Sequence, residues 1–114
     1  MPIAQYERLS LSAASREPVL SLLQRKRELI MRLAGLSRID AVRIFGSVAR
    51  GSETASSDID VLVTPAEGAS LFDFAQFASD LELLTDRSVD VISAHGVDPA
   101  SAAGKRILAE AVHL

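Results

Sequence analysis

Three short apolar runs, residues 41–45, 58–63 and 88–92, alternate along this chain with segments whose apolar residues recur every three or four positions. Short runs rich in Val and Ile suit strands, and the intervening period suits amphipathic helices. Strands separated in this way by helix-length stretches predict an α/β domain, with helices packed on a small central sheet. Val19, Leu22, Leu23, Leu29, Ile30 and Leu33 predict a first helix, with Pro18 in its first turn and Gly35 as its stop. Arg25, Lys26, Arg27 and Glu28 fall on the other side of that helix. Gly46 breaks the first strand, residues 47–51 predict a helical turn or two, and residues 52–57 form a polar loop. The second strand starts at Asp58 and is closed by Thr64 and Pro65. Leu71, Phe74, Ala75, Ala78, Leu81 and Leu84 predict a second long helix, and a last one is expected over residues 99–112. Phe72, Phe74 and Phe77 are assigned to the core, with one of them able to reach a base.

Composition narrows the function classes. The chain has 114 residues, 48% of them hydrophobic, which suits one domain with a core of its own. A lead-in, flexible or weakly helical, is expected over residues 1–15, and a single domain over residues 16–114. There is no cysteine, so disulfides and thiolate metal sites are excluded. Residues 1–15 lack the apolar core of a secretory leader, and no run approaches the roughly 20 apolar residues of a membrane span. A cytoplasmic location and no membrane partner are therefore expected. Nine of the twelve Lys and Arg lie in residues 1–51 beside four acids, whereas residues 52–114 hold eleven acids against three bases. A basic helix around Arg25 to Arg32 can serve a partner surface or simply be solvated. With net charge −3, four Phe, one Tyr and no Trp, direct nucleic-acid binding is not expected.

The chemistry concentrates in GSVARGSETASSDIDVLV, residues 46–63. On a strand alternate side chains share a face, so Asp58 and Asp60 project together, with Cα atoms roughly 7 Å apart. Carboxylates so spaced can converge on one hard cation, or on a pair about 3.5–4 Å apart. The plainer alternative is two acids solvated at a strand end. Gly46 lets the backbone turn sharply after the first strand, and Ser47 would open the short helix with a hydroxyl and free amides for a phosphate. Arg50, one turn on, adds positive charge there or is an ordinary exposed arginine. Asp90 interrupts the apolar Val89-Asp90-Val91-Ile92, where an unpaired carboxylate is expensive to bury. If its strand lies beside that of Asp58 and Asp60, the three acids form a triad. If not, Asp90 faces water. His95 and His113 have no second ligand nearby in sequence and are assigned to the surface or to packing.

A Gly-Ser at a strand end, followed by Asp-x-Asp starting twelve residues after the glycine, resembles the signature of the nucleotidyltransferase superfamily typified by DNA polymerase beta. GSVARG followed by SDIDVLV, with the closing ILAEAVHL, is similar to its smallest branch, the minimal nucleotidyltransferase (MNT) domains. The resemblance runs from about Val19 to the end of the chain. It implies a small mixed sheet flanked by helices. It also implies that Asp58 and Asp60 bind two Mg²⁺ ions and the triphosphate, and that Asp90 assists one metal and activates the attacking hydroxyl. Gly46 and Ser47 match the residues that cradle the triphosphate.

Lone MNT domains of this size resemble MntA-type antitoxins, which are paired with HEPN-domain toxins of the HepT type. That resemblance implies transfer of AMP from ATP to a tyrosine of the partner toxin. Two other readings stay open: an antitoxin that neutralises its toxin by binding alone, and a drug-modifying enzyme acting on a small molecule. Intact Asp58, Asp60 and Asp90 speak against the first, and the lack of a second substrate-gripping domain in this sequence speaks against the second.

Overall fold

The computed structural model describes residues 17–114, so the lead-in expected over residues 1–15 lies outside the described residues. Helix α1, Val19–Arg25, follows Pro18, whose own φ of −56 suits the position before a first turn. The single helix expected here is two. Lys26 leaves helical dihedrals at φ −99 and ψ 14, and α2, Arg27–Leu36, resumes at once. With this break Val19 and Leu23 of α1 and Ile30 and Ala34 of α2 all reach one core. Gly35 is not the stop: the helix runs through it to Leu36. The left-handed residue that turns the chain is Arg38 at φ 56. That conformation costs a non-glycine about 1–2 kcal/mol. It is offset where Arg38 Nη1 donates to the Gly68 carbonyl at 3.2 Å and the Arg38 carbonyl accepts from the Ala66 amide at 2.8 Å.

Strand β1, Ile39–Phe45, begins two residues before the expected start, because Ile39 is buried opposite Pro65 at the end of β2. A short α3, Gly46–Arg50, closes on Gly51 in the left-handed conformation. Strand β2, Ile59–Pro65, includes Thr64 and Pro65 but starts one residue after Asp58. Helix α4, Leu71–Thr85, matches the expected helix. Its first turn is fastened by Asp73, whose Oδ2 accepts from the Ser70 amide at 2.9 Å. Strand β3, Val89–Ser93, leads through a 3-10 turn, Ala94–Gly96, towards α5, Ala102–Glu110. That last helix is shorter than expected at both ends. Ser101 Oγ accepts from the Gly104 amide and fixes its start, leaving Pro99 outside. Val112–His113 then form β4, which the sequence reading placed at a helix end.

The sheet order is β3-β2-β1-β4. β1 runs antiparallel to β2 and β4, while β2 and β3 are parallel and joined through α4. The sheet is therefore mixed and flanked by helices, as the resemblance implied. Val42 and Ile44 of β1 and Ile59, Val61 and Val63 of β2 meet α1, α2, and Phe77 and Leu81 of α4. Each such fully buried side chain contributes about 1.5–3 kcal/mol through lost water contact. Phe77 is in the core and Phe74 packs against it, but Phe72 is 88% exposed, contrary to its assignment. Leu71 and Phe72 are the first two residues of α4, and both are exposed. No helix among the described residues is long and apolar enough to cross a membrane.

Candidate active site

The alternation of β2 creates the site. Ile59, Val61 and Val63 point into the core, which turns Asp60 to the other face of the sheet. Register then sets its neighbours. Asp60 lies opposite Phe45, the last residue of β1, and opposite Asp90 on parallel β3. Asp58 is exposed just ahead of β2, so it belongs to the mouth of the strand rather than to its ladder. Asp90 is exposed as well, and Asp60 is half-buried.

Gly46 is required twice over. Its φ is +70, a conformation side chains rarely adopt, and a Cβ there would run into the Asp60 carboxylate, lying 3.1 Å from its Cγ. The tight turn between β1 and α3 thus brings backbone against the central acid. Ser47 follows as the second residue of α3, half-buried, with its carbonyl accepting from the Ser52 amide at 2.9 Å.

Electrostatics single out Asp60. Burial pushes its carboxyl above the ordinary value of 3.8; the charges of Asp90 and Asp58 push it further, Arg50 pulls it back, and Glu110 raises it again. Asp60 thus stands beside Asp90 across the β2–β3 ladder and feels the charges of Asp58 and Arg50 as well. Arg50 also donates from Nη1 to Glu110 Oε1 at 2.9 Å, a pair that joins α3 to α5. Glu110 is a fourth acid that sequence reasoning missed. It lies sixty residues from Arg50 in sequence, and the tertiary packing of α5 against α3 brings the two together.

Among the described residues no group of three or more His, Cys, Asp or Glu side chains is arranged so that it could hold a metal ion. Asp58, Asp60 and Asp90 offer the oxygen donors that a hard divalent cation takes. Burial and the two like charges disfavour the ionised form of the central acid, a cost that a cation would relieve, and Gly46 presents no side chain against it. A cavity of about 650 Å³ lined by Val19, Leu22, Glu53, Thr54 and Arg87 lies elsewhere and includes none of these residues. The carboxylates stand at an open strand mouth. His95 is exposed in the 3-10 turn and His113 is exposed in β4. On the basic helix pair, Arg25 is engaged by Glu17 at 2.9 Å and Arg27 donates to the Leu114 carbonyl at 2.7 Å.

Comparison with known proteins shows the family and the fold. The sequence model of the family described as polymerase beta, nucleotidyltransferase, matches residues 27–112. A candidate protein adenylyltransferase of Methanocaldococcus jannaschii is 42% identical over 69 residues, covering 60% of this chain and 72% of that one. A solved structure of a candidate minimal nucleotidyltransferase superposes with a TM-score of 0.72 at 38% identity, over 83% of this chain and 95% of the other. A toxin–antitoxin structure with AMP-PNP shares the fold at 20% identity, with a TM-score of 0.61 over 74% and 68% of the two chains. An MntA–HepT toxin–antitoxin structure does so at 17% identity, with a TM-score of 0.56 over 79% and 69%. By a family match over residues 27–112 and a shared fold, this chain is a nucleotidyltransferase and belongs to the polymerase beta family.

Proposed function

We propose that this chain transfers AMP from ATP to a hydroxyl of a partner protein, a tyrosine of a HEPN-domain toxin, and thereby acts as an antitoxin. The observation that carries the reading is Asp60, half-buried above Gly46 and pressed by the charges of Asp58 and Asp90. Such a carboxylate cluster is stable in its ionised form when a cation compensates it. Asp58, Asp60 and Asp90 would hold Mg²⁺, which supplies charge neutralisation for the triphosphate when bound. Gly46 admits the triphosphate against bare backbone, Ser47 offers a hydroxyl to it, and Arg50 adds positive charge on the same side.

The acceptor oxygen bonds to the α-phosphorus, the bond from that phosphorus to the bridging oxygen breaks, and pyrophosphate leaves. Asp90, exposed at the rim, takes the hydroxyl proton. Positioning and charge do most of the work in phosphoryl and nucleotidyl transfer, so a small domain suffices. Asp58 and Asp90 face solvent at an open strand mouth, which suits an acceptor presented by a second protein. The candidate adenylyltransferase relative and the toxin–antitoxin chains of the same fold support this choice of acceptor over a small molecule.

The test is intact-mass spectrometry of a HEPN toxin encoded beside this chain, incubated with it, Mg²⁺ and ATP. The expected result is a gain of AMP mass with the wild type and none with the Asp58→Ala/Asp60→Ala variant. Inhibition of the toxin without any mass gain would replace this reading by neutralisation through binding.

A further inference from the structure

Asp58 is the site acid with the least support from its own surroundings. It lies outside the β2 ladder, at the end of a polar connection between α3 and β2, and its side chain is exposed. Within that connection the hydrogen bonds are local: the Thr54 amide to Ser57 Oγ at 2.8 Å, and the Ser57 amide to the Thr54 carbonyl at 3.1 Å. They close a small turn but do not attach it to anything.

The attachment comes from the residues just ahead of β3. After α4 ends at Thr85, Asp86 adopts φ 54 and redirects the chain. Arg87 is then half-buried, and its Nη1 donates to the Thr54 carbonyl at 2.8 Å and to the Ser57 carbonyl at 3.0 Å. Ser57 immediately precedes Asp58. On the other side of Asp58, the Ile59 amide donates to the Ser88 carbonyl at 2.9 Å. Both peptide groups flanking Asp58 are thus fastened to two consecutive residues, Arg87 and Ser88. Those residues are anchored in turn, because the Val89 amide donates to Glu82 Oε2 of α4 at 3.0 Å. Asp90 is the next residue along.

We propose that Arg87 is a positioning residue: its guanidinium, bonded to the Thr54 and Ser57 carbonyls, fixes Asp58 relative to Asp90 at the mouths of β2 and β3. The proposal rests on the reading of Asp58, Asp60 and Asp90 as cation ligands. A guanidinium suits the task because two N–H groups of one nitrogen reach two carbonyls in a fixed geometry, which a flexible, strongly hydrated ammonium does less well. Groups that orient metal ligands typically change metal affinity by 10–100-fold when removed.

Mn²⁺ is the probe, with the free ion counted by paramagnetic resonance in the full chain, and thermal melting followed in parallel. Arg87→Ala is expected to weaken Mn²⁺ binding roughly tenfold, Arg87→Lys to recover part of the loss, and Asp58→Asn to weaken binding on its own. The deciding comparison is the double variant: if Arg87 acts through Asp58, Arg87→Ala adds no further loss in the Asp58→Asn background. Wild-type Mn²⁺ affinity in Arg87→Ala would overturn the proposal, as would an equal loss in both backgrounds. Wild-type affinity in Asp58→Asn alone would instead overturn the assignment of Asp58 as a ligand, and the clamp with it. Should Arg87→Ala not fold, Arg87→Lys is compared in the same two backgrounds.

Discussion

At the scale of the residue, the site turns on Gly46 and Asp60, which lie so close at the strand end that a side chain at position 46 would meet the carboxylate. Gly46→Ala would both force a left-handed alanine, at about 1–2 kcal/mol, and push the Asp60 carboxylate aside. The expected outcome is a modest fall in melting temperature and a loss of transfer of about 10²-fold or more, since small misplacements at a reacting centre carry that cost. Asp60 makes a prediction of the opposite sign. Its carboxyl is raised by burial and by Asp90 and Asp58, so its ionised form is disfavoured in the fold relative to the unfolded chain. That destabilisation is full at pH values above the raised pKa, and it fades as the pH falls towards the ordinary 3.8. Without divalent cations, Asp60→Asn should therefore melt higher than the wild type near pH 7, with the gap closing as the pH approaches 4. Half exposure screens the effect, so a gain of about 1–2 °C is expected from melting curves. Asp60→Asn melting lower at neutral pH would contradict this account. Transfer by Asp58→Ala or Asp60→Ala should vanish while the circular dichroism spectrum is kept, because neither side chain belongs to the core.

At the scale of the element, α5 decides more than its sequence suggested. It is seated by Gly104, where an added Cβ would overlap the Asp98 carbonyl and stand 2.7 Å from its carbon. Gly104→Ala should destabilise the protein by about 1–3 kcal/mol through overpacking. A drop of more than about 4 °C in melting temperature is expected. Since α5 carries Glu110 to Arg50 at 2.9 Å, the same variant should weaken ATP binding, and equilibrium binding of a fluorescent ATP analogue measures this. The two short helices α1 and α2 teach a related lesson. Their apolar residues read as one helix because periodicity survives the break at Lys26, where a single residue leaves helical dihedrals while Ile30 and Ala34 still face the sheet.

At the scale of the whole molecule, the parallel pairing of β2 with β3 makes a site out of residues that are distant in sequence. On the proposed reading Mg²⁺ with ATP would bind where Asp60 and Asp90 lie in register, so saturating ligand should raise the melting temperature of the wild type. At a hundred times the dissociation constant, the gain is about 2.7 kcal/mol. Asp58→Ala/Asp60→Ala should show none of it, and an equal gain in that variant would place the nucleotide elsewhere.

The sequence alone determined the α/β class, the three main strands, the long helix α4, and the placing of Asp60 on the face opposite Ile59 and Val61. These follow from local periodicity and from the two-residue repeat of a strand, which need no partner to be read. Gly46 was legible too, since a glycine between an apolar strand and a Ser-led turn marks a sharp bend. The tertiary structure decided the rest. Whether Asp90 joins the other acids depends on strand order and register, and no local pattern encodes those. Glu110, Arg87 and the two-residue β4 acquire their places through contacts across dozens of residues. Phe72 shows the same limit in reverse, for its side chain matches its neighbours in α4 yet stands 88% exposed. Periodicity says which residues share a face; only the packed fold says which face is covered.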